Sequence, residues 1–87
     1  MARFLVHVPH TPDECVRALD SVLGHSETLL GRFDWGCKDD EHIGWAVLEA
    51  QDESTALMML PSHIRSEAHA TMLSKFTAEE VKAFHEQ

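Results

Sequence analysis

Residues 4–8, Phe4-Leu-Val-His-Val8, form a short β-rich run that reads as a first strand, and Pro9 ends it. Phe4, Val6 and Val8 share one face, and Leu5 and His7 the other. Thr11-Pro12-Asp13-Glu14 then carries the marks of a helix start: a capping Thr, a Pro in the first turn and a Glu that completes a capping box. Cys15, Val16, Leu19, Val22 and Leu23 follow at helical spacing, with Gly24 as a stop. Residues 27–35 read as a second strand weakened by Gly31, and 36–41 as a turn. Residues 42–49 read as a third strand, with Ile43, Trp45 and Val47 on one face and Gly44, Ala46 and Leu48 on the other. Apolar residues on both faces predict a central strand covered on both sides.

Asp52 is placed to cap a short second helix containing Ala56, Leu57, Met59 and Leu60, which Pro61 ends. Residues 68–76 read as a fourth strand, with a helical alternative because Ala and Met are not strand formers. Thr77-Ala-Glu-Glu80 is a second capping box. Phe76 and Val81 sit at its staple positions, and Val81 and Phe84 give the terminal helix a thin apolar stripe.

The order β-α-β-β-α-β plus a terminal helix predicts an α+β, ferredoxin-like domain over residues 1–87, an antiparallel sheet with helices on one face. The other face would be open in a lone chain. Leu5 and Leu48 are the residues expected to need cover there, and a second copy docked sheet to sheet is the simplest cover. A chain of 87 residues has a thin core and gains from a metal, a disulfide or a partner subunit.

Charge narrows the partners. Fifteen acidic residues against seven Lys and Arg give a formal net charge of −8. The basic residues are scattered, so neither nucleic acid nor an anionic membrane surface is an expected partner. Residues 1–8 are too short and too strand-like for a signal peptide, and no apolar run approaches membrane length, so the expected location is the cytoplasm. There Cys15 and Cys37 are expected as thiols or metal ligands, and as a disulfide only in an oxidising compartment.

The candidate chemistry lies in two short clusters, His7-Val-Pro-His10-Thr-Pro-Asp-Glu-Cys15 and Cys37-Lys-Asp-Asp-Glu-His42. Thiol and imidazole together suit soft and borderline metals such as zinc, nickel or copper. In the expected topology one rim of the sheet collects His7, His10, Cys15, Cys37, His42, Arg65 and His69, whereas His25 falls at the opposite end. His10 and Cys15 also occupy the two staple positions around the Thr11 cap. The metal reading takes Cys37 and His42 as main ligands, completed by Cys15 and by His10 or His7. No strong spacing motif accompanies it, and the bland alternative makes both cysteines small buried hydrophobes. A second reading is an enzyme in which His7 acts as base and Arg65 anchors a small organic acid. For these two residues the plain alternatives are an interface histidine and a surface ion pair with Glu67. Trp35 and Trp45 read as packing residues, and Asp39-Asp40-Glu41 as a solvated hairpin tip. A Cys–His pair also permits covalent catalysis, which ranks below metal binding without a nucleophile signature.

FLVHVPHTPDEC, FDWGCKDDEHIGW, LPSHIR and KFTAEEVKAFH together resemble a family of small uncharacterised prokaryotic proteins. At fold level the chain is similar to the dimeric α+β barrel group, which includes muconolactone-isomerase-like enzymes, small monooxygenases, stress-responsive barrel proteins and a small nickel-binding family. That resemblance implies a homodimer or larger homo-oligomer. Its nickel-binding members favour a metal, although no ligand or catalytic residue transfers position by position. The leading expectation is a small transition-metal-binding protein with a sensing, storage or redox role. The alternative is a barrel-type isomerase or cofactor-free monooxygenase.

Overall fold

The computed structural model describes residues 1–86. Strand β1 (Ala2–Pro9) leads through a 3-10 turn (Pro12–Glu14) into helix α1 (Cys15–His25). The Glu14 carboxylate accepts the Thr11 backbone N–H at 3.1 Å, so the expected capping box forms. Helix α2 (Glu27–Arg32) and the short strand β2 (Phe33–Trp35) come next. A 3-10 turn (Cys37–Asp39) joins β2 to β3 (Ile43–Ala50). Helices α3 (Glu53–Met58) and α4 (Ser62–Arg65), strand β4 (His69–Leu73) and helix α5 (Ala78–His85) complete the order.

The strands form one antiparallel sheet in the order β2-β3-β1-β4, an α+β arrangement compatible with the ferredoxin-like fold. Phe4, Val6 and Val8 of β1 pack with Ala46 and Leu48 of β3, Phe33 of β2, Ala18, Val22, Leu29, Ala56 and Ile64 of the helices, and Leu60 between α3 and α4. Pairing Leu5 with Val47 and Thr71, and His7 with Trp45 and His69, builds the opposite face, where Val47, Thr71 and His69 are exposed.

Three expectations are corrected here. Residues 27–32 are helical, not strand. The Ser26 hydroxyl accepts the Leu29 N–H at 3.1 Å, Glu27 sits in the first turn, and Leu29 is buried in the core. A cap plus a buried anchor outweighs the modest strand preference of Thr28 and its neighbours. Leu48 does not belong to the open face. It is fully buried opposite Phe4, and Val47, 46% exposed, is the residue beside Leu5. Side chains alternate along a strand, so the two neighbours must face opposite ways. The fourth strand is also shorter than expected, and the single-turn α4 is an addition to the sequence reading.

Helix α5 forms as its capping box predicts, with Thr77 Oγ1 accepting the Glu80 N–H at 3.1 Å. Every residue from 74 to 86 is exposed, including Phe76, Val81 and Phe84. Phe76 packs edge-on against Phe84 at 5.7 Å between ring centroids. Among the described residues, no helix is long and apolar enough to cross a membrane.

Candidate metal centre

The end of β1 and the β2–β3 hairpin are tied together by one backbone hydrogen bond, His10 N–H to the His42 carbonyl at 3.0 Å. This bond lies one step beyond the β1–β3 ladder, whose last pair is Pro9 with Ile43. It extends the sheet past Pro9 and sets the His10 and His42 rings edge to face, 5.5 Å apart.

The hairpin itself is closed around Gly36. The Gly36 carbonyl accepts from both Asp39 N–H (2.9 Å) and Glu41 N–H (3.0 Å), while its own N–H donates to Ile43 (3.0 Å). A Cβ at Gly36 would stand 2.7 Å from the Glu41 carbonyl oxygen, so only glycine permits this closure. Gly44 serves a related purpose: a Cβ there would meet the Trp35 ring at 2.7 Å. Without one, Trp35 lies over the strand, stacked on Phe33 at 5.1 Å and 6.1 Å from the His10 ring. The Trp35 indole thus forms one wall of the site.

Four side chains converge inside this frame. His10, Cys15, Cys37 and His42 each offer one ligand atom, all lie within 4.8 Å of one another, and all four residues are half-buried. Cys37 Sγ lies 3.3 Å from His10 Nε2. Cys15 opens α1 immediately after the Thr11–Glu14 cap, which turns the thiol back toward His10 as the staple positions require. Two sulfurs and two nitrogens at this spacing are close enough to hold a metal ion.

The outer atoms of the cluster are also informative. His42 Nε2 donates to Asp40 Oδ1 at 3.3 Å, leaving Nδ1 as its free nitrogen. That Nδ1 is buried without a hydrogen-bond partner, as is the Nδ1 of His10. An unpartnered buried imidazole nitrogen is costly unless something else binds it. Asp40 reaches His42 from a left-handed backbone (φ 63°), a conformation an Asp tolerates better than most residues.

Burial and the neighbouring His42 hold the His10 imidazole below its ordinary pKa. Glu14 and the Val8 carbonyl oppose this weakly, the latter short of a well-formed hydrogen bond. The Cys37 thiol is pushed up, first by burial and then by its hydrogen bond and charge repulsion with Cys15. The cluster therefore favours a neutral imidazole at His10 and a protonated thiol at Cys37 until a cation arrives.

The remaining sequence candidates lie elsewhere. His7 is not in the cluster. Its ring is on the open face, 6.4 Å from Trp45 and 6.1 Å from His69, because residue 7 has the opposite strand parity to the buried Val6 and Val8. Arg65 belongs to the helical layer, and its Nη2 donates to the Leu60 carbonyl at 2.8 Å in place of an ion pair with Glu67. His7 and Arg65 therefore do not face one another across a common cleft. The residue that sequence reasoning passed over is Asp40, set aside as part of a solvated run. Its i, i+2 spacing to His42 was the available signal. Set against protein-family models, characterised proteins and solved structures, the chain matches none of them.

Proposed function

We propose that this protein binds one transition-metal ion per chain through Cys15, Cys37, His10 and His42, with zinc the best chemical fit. The single observation carrying this reading is the convergence of two thiols and two imidazoles, drawn from three separate elements, within 4.8 Å. Mixed sulfur and nitrogen ligation with four protein donors suits tetrahedral zinc. A site closed by four protein ligands leaves no position for substrate, so the reading is storage, sensing or structural stabilisation rather than metal-centred catalysis. The unpartnered His42 Nδ1 supports it, since Asp40 holds the other ring nitrogen and leaves Nδ1 as the donor atom a metal would take. Nickel and copper are the alternatives within the same donor set.

The partner is a second copy of the chain. Leu5, Trp45, Val47 and Leu73 line a sheet face on which, among the described residues, Val47 is exposed and the other three are half-buried, and α5 carries an exposed Val81 and Phe84 nearby in sequence. Burying both surfaces against a copy of themselves removes apolar area from water, which a chain with so small a core needs.

Elemental analysis of protein purified without an affinity tag tests the metal. About one equivalent per chain is expected for the wild type, and a clear loss for Cys37→Ser and His42→Ala. Full occupancy in both variants, or no uptake by wild-type protein reconstituted with zinc, overturns the assignment.

A further inference from the structure

Cys15 and Cys37 lie on different elements, one opening α1 and the other opening the hairpin's 3-10 turn. Their sulfurs nonetheless fall within the 4.8 Å cluster. Both are free and half-buried, within reach of a small solute. Each is the first residue of its element, not the middle of a helix or strand. Sulfurs that already converge are the starting arrangement from which a disulfide closes.

We propose that Cys15 and Cys37 are a redox pair: a peroxide-class oxidant converts them to an internal disulfide, and closure of that bond ejects the metal ion. The disulfide rests on the thiol geometry alone, whereas the ejection rests on the metal reading above. In the first step one thiolate sulfur attacks a peroxide oxygen. The O–O bond breaks, hydroxide leaves and takes up a proton as water, and a sulfenic acid forms. The second sulfur then attacks the sulfenic sulfur, the S–S bond forms, and the hydroxyl departs as a second water. Two thiols and one hydrogen peroxide yield one disulfide and two waters; sulfur loses two electrons and peroxide gains them. The metal undergoes no redox change. It loses both thiolate ligands at once, and the two imidazoles that remain are a weak pair. The neighbouring second thiol also protects the first from further oxidation, because sulfenic acid is trapped before it can go on to sulfinic acid.

The experiment treats metal-free and zinc-loaded full-length protein with one equivalent of hydrogen peroxide and follows intact mass, tryptic peptides and free zinc with a chromogenic indicator. The expected product is lighter by about 2 Da, the mass of the two hydrogens lost in forming a disulfide. After digestion it should yield peptide 4–17 linked to peptide 33–38, and thiol reductant should reverse both changes. Zinc-loaded protein should release one zinc per disulfide formed. Cys15→Ser and Cys15→Ala should instead accumulate a sulfenic acid at Cys37 that a dimedone-type probe captures. Oxidation of metal-free wild type to sulfinic acid or to intermolecular dimers, without the linked peptides, overturns the redox pair. Disulfide formation with zinc retained overturns the ejection. Protein that takes up no zinc overturns the metal reading and the ejection with it, while the metal-free arm still decides the disulfide.

Discussion

Cys37 Sγ lies 3.3 Å from His10 Nε2 across 27 residues of sequence, joined through the His10–His42 backbone bond and the closure at Gly36. The thiol of the hairpin and the imidazole at the end of β1 are therefore fixed relative to each other by main-chain hydrogen bonds rather than by flexible side chains. A rigid donor pair loses little freedom on binding a metal. Cys37→Ser is expected to weaken zinc binding by about 100-fold or more while leaving the hairpin intact, measured by competition with a chelating indicator.

Zinc affinity should rise with pH. The Cys37 thiol is held above its ordinary value by burial and by Cys15, so its proton must leave before the sulfur can bind. His10, held below its ordinary value, is already neutral near pH 7 and adds no further proton. Affinity should increase about tenfold per pH unit for each proton displaced. Zinc competition from pH 6 to 8, with calorimetry in two buffers of different ionisation enthalpy, counts those protons. A flat profile would contradict thiolate ligation.

Asp40 should act on the metal through His42. Its Oδ1 accepts from His42 Nε2, which directs Nδ1 inward and fixes the tautomer. The contact is worth little to stability, because the Asp40 side chain is 96% exposed. Asp40→Asn is therefore expected to leave the melting temperature of metal-free protein unchanged and to lower zinc affinity by about 10- to 100-fold. The neighbouring Asp39→Asn serves as control and should change neither the melting temperature nor the zinc affinity.

Metal-free protein should lose stability at both ends of the pH range. His10 titrates lower in the folded chain, so the unfolded chain takes up its proton first as pH falls below about 6.5, and stability declines there. Glu14 and Asp52, lowered by the backbone N–H groups of Thr11 and Thr55 that they cap, add stability at neutral pH that disappears as pH falls through their folded values. Cys37 has the opposite sign. Its folded value is raised, so the unfolded chain ionises first and stability falls as pH rises through the ordinary thiol range. Thermal melts from pH 4 to 10 should show this dome, and saturating zinc should remove the alkaline fall.

Gly36→Ala should disturb fold and site together. The added methyl would meet the Glu41 carbonyl at 2.7 Å and the Trp45 ring at 3.1 Å. A loss of about 1–3 kcal/mol is expected, seen as a lower denaturant midpoint, together with weaker zinc binding because Cys37 is the next residue.

Self-association should depend on the open face. Val47→Lys places a charge beside Leu5 without touching the core, so it should shift the chain toward monomer in sedimentation velocity while leaving zinc binding intact. Wild-type protein that stays monomeric at every concentration would remove the dimer from the proposal.

Local signals were legible wherever the physics is local. The Thr11 and Thr77 capping boxes, the Asp52 cap, the end of β1 at Pro9 and the alternation along β1 each depend on residues a few positions apart, and each appears in the structure, whereas the helix after Asp52 stops at Met58, short of the Met59, Leu60 and Pro61 expected to close it. Residues 27–32 were misread because a helix of six residues has almost no periodicity to detect, and its Ser26 cap is a single polar atom. His10 and Cys15 could be paired in advance from the staple geometry of their shared cap. The choice between His7 and His10 as ligand could not, because it turns on which face of β1 meets the hairpin, and pairing register decides that. The chain's own pattern thus determined most of the elements and which residue types could bind a metal, but not α2 or the single-turn α4. Tertiary structure decided the rest, since bringing Cys37 and His42 against His10 and Cys15 requires non-local backbone pairing whose energy no short window of sequence contains.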